Sequence, residues 1–457
     1  MATGIPRTNW RGNGVTSLID SATNGLSGVV LSYEGKKTEE EILETSPAKL
    51  TRLWSKRGRQ TKDNRLCFGE NLSVLAALAE DPAVRGKVKL VYIDPPYATK
   101  SVFQSRKQAN AYADLLEGAH YLEFLRERLI LLRELLADDG SIYVHLDENM
   151  AFHVKVIMDE VFGRANFRNW ITRKKCNPKN YTRKTYGNVS DYILFYSKSD
   201  DYIWHRPVEV WTENRAAKEY QYIEPGSGRR YKKVPIHAPG TRNGETGKPW
   251  RGMLPPPGKH WQYLPSTLDE MDARGEIYWS ATGNPRRKIY LDASNGVPVQ
   301  DIWFDFRDAH NQNIRITGYP TEKNPLLLQR IIEASSDAGD LVLDCFSGSG
   351  TTLDVAHRLE RRWIGIDNSP EAIKATLERF ANGLEPMGDF VKKLEKLEQL
   401  ETEEATLPML DLFQENSAKP ENVSKHTPIR EFELLAAEAY DNSLEQDVAN
   451  WIRSNKE

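Results

Sequence analysis

The segment Asp94-Pro95-Pro96-Tyr97 directly follows the apolar run LVYI, and its residues are suited to binding an amine on a flat ring. Two consecutive prolines lack a backbone N–H, so they stop a strand and hold the chain rigid while their carbonyl oxygens stay free to accept. The Asp94 carboxylate and the Pro95 carbonyl are two acceptors for the two hydrogens of an NH2 group, and the Tyr97 ring can stack on a planar base. These four residues form our candidate catalytic site; the alternative is a structural turn capped by Asp94.

A second candidate site is the glycine-rich segment from Asp344 to Thr352, between the apolar run LVL and a helix-like run. Glycines after a strand allow a tight turn, and the N-terminus of the next helix offers free N–H groups to a ligand. Fifteen residues beyond Thr352, the run WIGI ends in Asp367, which could accept hydrogen bonds from ribose hydroxyls or only cap the helix starting near Ser369. The pattern favours a nucleotide-like cofactor over simple tight packing. No lysine follows the glycines, which argues against a phosphate-loop NTPase.

Both segments lie in stretches where short apolar runs alternate with helix-like runs. From Arg65 onward the pattern predicts a βαβαβ order. The five runs are RLCF, NLSVLAALAE, KLVYID, a long amphipathic run and SIYVHLD. The alternation breaks down between about Asn166 and Tyr319, except for the strand-like DYILFYSK, and then resumes. Because carboxyl ends of parallel strands meet at one edge of a sheet, we expect both segments at that edge.

The net charge of −3 hides a separation of charge along the 457 residues. From Arg164 to Lys259 there are twenty Lys and Arg against eight Asp and Glu, whereas from Glu385 to Glu457 there are eight against seventeen. A basic, aromatic middle region is typical of a nucleic-acid contact, and the acidic tail suggests a packing or partner element.

Composition also indicates the compartment. Hydrophobic residues make up 39% and charged residues 28%, with no apolar run of 18 residues, so we expect a cytoplasmic globular protein without membrane attachment. The three cysteines, Cys67, Cys176 and Cys345, are far apart, which fits a reducing compartment and predicts neither a disulfide framework nor a metal site.

Together the two segments resemble those of the amino-group DNA methyltransferases of the permuted beta class, which includes modification (Mod) subunits of type III restriction systems. In that class the catalytic motif precedes the cofactor motif, with the target recognition region between them. The similarity runs from about Arg65 to Phe380. It includes GENLSVL, RLILLRELLADDGSIYVHLD, DEVFGRANF and GYPTEKNPLLLQRII.

The resemblance implies an α/β fold: a Rossmann-like, circularly permuted S-adenosylmethionine-dependent methyltransferase sheet with an inserted recognition region and a helical C-terminal tail. It implies S-adenosylmethionine as the cofactor. The residues it places around that cofactor are Asp344, Phe346, Ser347, Gly348, Gly350, Thr351 and Asp367, with Pro320, Thr321 and Lys323 in a loop over the methionine moiety. Glu70 departs from the family, where Asp is common, so its cofactor contact is left open.

The expected organisation has five parts. Residues 1–60 form an irregular or short helical arm; 61–165 carry the catalytic motif; 166–315 form the recognition region, including a sheet strand near 191–198; 316–383 carry the cofactor motif; and 384–457 form an acidic helical extension.

The expected reaction transfers a methyl group to an adenine flipped out of double-stranded DNA, with Tyr97 stacked on the base and Asp94 and Pro95 holding the amine. Cytosine N4 is the alternative, because both amines fit the same acceptors; Asp94 as the first residue resembles the adenine enzymes. Cytosine C5 chemistry is excluded, since none of the three cysteines follows a proline. The candidate DNA contacts are Arg173, Lys174, Lys175, Arg183, Lys184, Arg229, Arg230, Lys232 and Arg286. His145 is given a packing or surface role.

Other readings concern partners and substrates. The chain could instead be the DNA-recognition subunit of a larger complex, although such a subunit need not keep both motifs. Relatives acting on RNA or protein tend to carry Asn where this chain has Asp94. The resemblance implies a restriction or other defence subunit as a partner, and dimerisation is the habit of the family.

Overall fold

The structure is a computed structural model that describes residues 29–56, 64–96, 118–176, 184–306, 315–316, 322–383, 385–386, 427–437, 446 and 450–451. It divides into two compact units. Unit 1 comprises Met1–His205 and Asp301–Glu457, and unit 2 comprises Arg206–Gln300.

The helices are α1 (Glu39–Leu43), α2 (Asn71–Glu80), α3 (Ala119–Leu135), α4 (Ala151–Phe162), α5 (Glu213–Glu219), α6 (Pro265–Ala273), α7 (Pro325–Ser335), α8 (Thr351–Arg358) and α9 (Pro370–Asn382). The strands are β1 (Leu50–Lys56), β2 (Arg65–Phe68), β3 (Val88–Ile93), β4 (Leu136–Leu146), β5 (Phe167–Lys174), β6 (Ser190–Ser197), β7 (Val208–Glu209), β8 (Tyr222–Ile223), β9 (Arg230–Pro235), β10 (His237–Pro239), β11 (Lys259–Trp261), β12 (Ile277–Trp279), β13 (Pro285–Tyr290), β14 (Val297–Pro298), β15 (Ile302–Trp303), β16 (Arg315–Ile316), β17 (Leu341–Asp344), β18 (Arg362–Asp367), β19 (Glu385–Pro386) and β20 (Phe432–Ala437).

Unit 1 is built on a ten-stranded sheet of order β1-β20-β2-β18-β17-β3-β4-β6-β5-β15. The six strands from β20 to β4 in this order pair in parallel. β1 is antiparallel to β20, and β6 is antiparallel to both β4 and β5, whereas β15 pairs in parallel with β5. The predicted α/β class is confirmed. The central strand β17 lies between β3, which precedes Asp94, and β18, which ends at Asp367.

Helices cover this sheet because its parallel strands are apolar on both faces. Val91, Ile93 and Leu343 pack into one buried cluster with residues of α2, α3 and α4. Successive side chains of a strand point to opposite faces of the sheet. Trp363 of β18 lies on the face opposite to α2, α3 and α4, where it packs against Phe380 of α9. The strand ends that carry the candidate site are thereby fixed by a layer of helices on each side.

Two strands, β1 and β20, lie within the regions predicted as an N-terminal arm and a helical tail. β1 and β20 pair with each other, and β20 also pairs in parallel with β2. Every residue of β20 is buried. The described part of the C-terminal extension therefore supplies an interior strand of the main sheet, because a run of six apolar or acidic residues fills the space beside β2.

Unit 2 is smaller than the predicted recognition region, residues 166–315, since β5, β6 and β15 belong to the main sheet. It contains a four-stranded antiparallel sheet of order β12-β13-β9-β8. Its own core joins Trp250, Trp261, Leu268, Met271 and Ile277. A separate core is what a unit needs to fold by itself.

Within the part of the chain that the structure describes, no helix is long and apolar enough to cross a membrane.

Candidate active site

Three carboxylates meet at the carboxyl edge of the main sheet: Asp94 after β3, Asp344 at the end of β17 and Asp367 at the end of β18. The negative charges of Asp94 and Asp367 both act on the Asp344 carboxyl, which places the three groups within electrostatic range of one another. The sheet thus brings the two segments singled out in the sequence to one place.

Asp94 forms an ion pair at the end of β3. Its Oδ2 atom lies 2.9 Å from Nζ of Lys323, a residue singled out for the loop over the cofactor. Pro95 is buried and Pro96 exposed, which matches a rigid turn at the end of a strand. Tyr97, Pro320 and Thr321 lie outside the described residues.

The glycine-rich segment is held to Asp344 by hydrogen bonds. Thr352 Oγ1 donates to Asp344 Oδ2 at 2.6 Å, and the Phe346 amide donates to Oδ1 at 3.0 Å. Gly350 adopts a left-handed φ of 72°, and a Cβ there would lie 2.7 Å from Cγ2 of Thr376. Only glycine therefore allows the loop to pass this close to α9.

The loop offers polar groups to a ligand. The Oγ atom of Ser347 is buried and has no hydrogen-bond partner among the described residues. Asp367 accepts from the amides of Gly348 (2.8 Å) and Ser369 (2.9 Å), so it fixes the loop and also holds Ser369, the N-cap residue of α9. Each carboxylate oxygen has a second lone pair, which leaves capacity for a ligand hydroxyl. The observed groups fit a nucleoside-type cofactor.

Asp344 gives the site a pH dependence. Burial raises the pKa of its carboxyl from 3.8 to about 7; the hydrogen bonds from Thr352 and Phe346 oppose the rise, and the charges of Asp94 and Asp367 add to it. The folded-state pKa lies above the unfolded value, so between these two values the folded protein keeps a proton that the unfolded chain releases. The protonated Asp344 carboxyl therefore stabilises the folded protein at low pH, and this stabilisation is lost as the pH rises from 3.8 to about 7.

Asp344→Asn should remove this dependence, because an amide does not ionise. We expect the wild type to lose thermal stability between about pH 4 and about pH 7, and the variant to lose less. Thermal unfolding of the wild type and the variant at several pH values measures the two losses of stability. Equal losses in the two proteins would show that Asp344 does not titrate in this range.

The sequence patterns did not single out Arg379 of α9, although it organises the cofactor loop. Its buried guanidinium donates to the Ser349 carbonyl (2.6 Å), to Thr351 Oγ1 (3.0 Å) and to Glu322 Oε1 (2.5 Å). Glu322 precedes Lys323, the partner of Asp94. Glu322 is thus linked through Arg379 to the glycine-rich segment, and its neighbour Lys323 contacts Asp94 directly.

Glu70, the residue that departs from the family pattern, caps α2 and pairs with the buried Arg128. The Arg128 guanidinium lies 3.5 Å from the Phe124 ring centroid, and that ring lies 6.0 Å from the ring of Phe346. A Glu side chain is one methylene longer than that of Asp, so Glu70 reaches Arg128. It also accepts a hydrogen bond from the Ser73 amide at 3.0 Å.

The family model N6_N4_Mtase, described as DNA methylase, matches residues 88–378, and both the catalytic and the glycine-rich segments lie within the match. The chain belongs to the N6/N4 DNA methylase family. It is 50% identical over 367 residues to the type II methyltransferase M.EcaI of Enterobacter cloacae, a match that covers 79% of this chain and 80% of the relative. The protein is thus a DNA methyltransferase of the N6/N4 class, as the resemblance implied.

Further relatives of this DNA methylase are more distant. It is 27% identical to the probable type III restriction-modification enzyme HindVI Mod subunit of Haemophilus influenzae, over 69% of this chain and 50% of the relative. This chain therefore spans only half the length of that relative. The structure of an M1.HpyAVI-SAM complex matches with a TM-score of 0.38 and 14% identity, over 69% of this chain and 98% of the other.

One of the methylase's candidate DNA contacts is misplaced. Arg173 is fully buried, and its guanidinium donates to Asp191 Oδ2 (2.7 Å) and to the Phe306 carbonyl (2.6 Å). The DNA contact predicted for Arg173 is therefore wrong, because strand alternation in β5 turns this side chain inward together with that of Ile171.

The remaining DNA candidates lie nearer to solvent, apart from Arg183, which is outside the described residues. Those that pair with an acidic side chain are Lys175 with Glu148, Arg229 with Asp292, Arg230 with Glu213 and Lys232 with Glu219. Lys174, Lys184 and Arg286 are partly or fully exposed. Exposed pairs are weak, so these cations can exchange their partners for phosphates at little cost.

Proposed function

We propose that the protein transfers a methyl group from S-adenosylmethionine to N6 of an adenine flipped out of double-stranded DNA. The observation that carries the proposal is the position of Asp94: this residue directly follows β3, the strand next to β17, which carries the glycine-rich loop. An acceptor for an amine thus lies beside a loop suited to the cofactor.

In this proposal the cofactor lies against the glycine-rich loop, with Asp367 accepting from its ribose hydroxyls and Ser347 supplying a buried hydroxyl. When bound, S-adenosylmethionine supplies an electrophilic methyl group on a positively charged sulfur. The residues proposed to hold it are Asp344, Phe346, Ser347, Gly348, Gly350, Thr351, Asp367 and Lys323, with Pro320 and Thr321 from the preceding loop.

Asp94 and the Pro95 carbonyl accept the two hydrogens of the adenine amine, and Tyr97 stacks on the ring. These contacts turn the nitrogen lone pair toward the methyl carbon, so the rate gain comes from positioning and electrostatics. With S-adenosylmethionine held there, the nitrogen lone pair would form the new N–C bond as the C–S bond breaks toward sulfur. The extra proton on nitrogen leaves to Asp94 or to water.

We propose that unit 2 contacts the DNA. On one face of its sheet, Nζ of Lys233 lies 3.6 Å from the ring centroid of Tyr222 and 3.5 Å from that of Tyr278. Arg229 stacks over Tyr290 at 3.8 Å. A surface of cations and aromatic rings suits phosphates and unstacked bases.

Adenine is proposed over cytosine because the catalytic segment begins with Asp. The test is a reaction of the purified protein with unmethylated plasmid DNA and methyl-labelled S-adenosylmethionine, followed by nucleoside analysis of the digested DNA. We expect labelled N6-methyldeoxyadenosine. Labelled N4-methyldeoxycytidine would establish the alternative base, and unlabelled DNA would contradict the proposal.

The partners stay proposals. Mod subunits of type III restriction-modification enzymes are among the relatives, which supports a search for a restriction or other defence subunit that copurifies with this chain. The same purification, analysed by light scattering, would test for the expected homodimer.

A further inference from the structure

Four buried polar residues form a connected chain beneath the end of β3. Tyr92 Oη lies 2.8 Å from Nδ1 of His145, and Nε2 of His145 lies 2.9 Å from Oδ2 of Asp191. Arg173 donates to the same oxygen at 2.7 Å. All four side chains are at most 2% exposed.

This chain of residues reaches the catalytic segment by two routes. Tyr92 lies near the end of β3 and two residues before Asp94, which directly follows the strand, so alternation places the two side chains on the same face. From the other side, Lys323 pairs with Asp94 Oδ2 at 2.9 Å and also acts electrostatically on Asp191. The Lys323 ammonium thus lies within range of two carboxylates, one catalytic and one buried behind it.

Asp191 is held as an anion. Burial raises the pKa of its carboxyl, but His145, Arg173 and Lys323 outweigh burial and bring that pKa below its usual range. Its Oδ1 atom is buried and accepts no hydrogen bond from the described residues. One oxygen of Asp191 therefore accepts a hydrogen bond from Arg173 and lies close to Nε2 of His145, while the other oxygen can act on charged groups by electrostatic attraction.

Folding alone does not explain such a cluster. Buried ion pairs cost desolvation and often contribute less stability than apolar residues of the same volume. The neighbouring strand positions are filled by apolar side chains such as Val144 and Leu194. A charged group at this place, within electrostatic range of Lys323, is suited to orienting the pair that Lys323 forms with Asp94.

We propose that Asp191 is a positioning residue for methyl transfer, which holds the Lys323 ammonium against one oxygen of Asp94. The other Asp94 oxygen then stays turned toward the target amine. His145 and Arg173 fix Asp191, and Tyr92 fixes His145. The inference rests on the function proposed for Asp94.

The test is a double-mutant cycle of Asp191→Asn and Lys323→Met. Asp191→Asn keeps the shape of the side chain and removes its charge. We expect kcat to fall on the order of 10- to 100-fold, since misplaced reacting groups cost about that much. Binding of S-adenosylhomocysteine, measured by calorimetry, should stay within about threefold of wild type, a change below about 0.7 kcal/mol.

The second half of the cycle separates positioning from a general structural effect. If Asp191 acts through Lys323, then Asp191→Asn should change kcat by less than about twofold in the Lys323→Met background, since the coupled pair is already broken. A full further loss in that background would overturn the proposal. So would wild-type kcat in Asp191→Asn, or a loss seen only in cofactor binding.

The matched control is Asp159→Asn. Asp159 is also a carboxylate with a lysine and an aromatic partner, Lys155 at 2.7 Å and Tyr196 at 2.7 Å, but it lies on α4. Its variant should keep wild-type kcat. If Asp191→Asn does not fold, the variants Lys323→Arg and Lys323→Met test the ion pair between Lys323 and Asp94. Lys323→Arg retains the positive charge and should keep more activity than Lys323→Met. Equal activity of these two variants would overturn the proposal.

Failure of this inference is distinguishable from failure of the proposed function. An active wild type and an inactive Asp94→Ala, with wild-type kcat in Asp191→Asn, would leave the function standing and remove only the role of Asp191. An inactive wild type would instead reject the function.

Discussion

Asp94→Ala should lower methyl transfer at least about 100-fold while DNA and cofactor binding stay close to wild type. The carboxylate lies at the end of β3 and is proposed to accept a hydrogen of the target amine. Loss of one preorganised hydrogen-bonding group at a reacting centre costs on the order of 100- to 1,000-fold in kcat. Single-turnover methylation, with DNA binding followed by fluorescence anisotropy, measures the two effects separately.

The control for this experiment is Asp139→Ala. Asp139 of β4 pairs with Lys89 of β3 at 2.6 Å, so it is also a carboxylate held by a lysine, and its side chain is 39% exposed. An exposed pair contributes less than about 1 kcal/mol, and we expect full activity from this variant. Turnover in Asp94→Ala comparable to that of the control would contradict the mechanism.

The second large effect concerns stability. Phe432 begins β20 and is 1% exposed, with its ring 4.6 Å from that of Trp54, 5.4 Å from that of Phe380 and 5.8 Å from that of Trp363. These partners come from β1, α9 and β18. Phe432→Ala leaves a cavity where they meet, and such changes cost about 3–5 kcal/mol. Thermal unfolding of the purified variant should show a clear drop in midpoint.

Phe304→Ala is the matched control, because this phenylalanine is 62% exposed in unit 1. Its removal should leave the midpoint nearly unchanged, since surface substitutions lie within about 0.5 kcal/mol. Equal midpoints for the two variants would mean that β20 contributes little to the stability of the sheet.

The carboxyl edge of the sheet could be predicted because local signals coincide there. The apolar runs before Asp94, Asp344 and Asp367 each end at a carboxylate, and parallel strands bring such ends together. Proline and glycine have few alternative roles at these positions, so their presence is informative.

β20 could not be predicted from its residues. The run FELLAA and the following EA consist mainly of Glu, Leu and Ala, which are strong helix formers. The space between β1 and β2 decides the outcome, because tertiary packing overrides a preference of a few tenths of a kcal/mol per residue. Residues 432–437 of the predicted helical tail therefore form a strand and not a helix.

Residues that act across the fold were also missed. Arg379 and Asp191 are single charges in ordinary surroundings of the sequence, and their partners lie far away along the chain, 57 residues for Glu322 and 18 for Arg173. The burial of Arg173, in contrast, could have been predicted from the sequence. This residue lies two residues after the buried Ile171 in a strand, so period-two alternation predicts that it points inward.

The position of β20 also sets an order of events during synthesis. Asn64 beside β2 hydrogen-bonds to the Glu431 carbonyl beside β20, and the two residues are 367 positions apart. A ribosome that adds about 5–20 residues per second needs roughly 20 to 70 s to cover that distance. Until then the nascent chain exposes an unpaired edge of β2, so chaperone binding to the unfinished sheet should decide the yield of active enzyme.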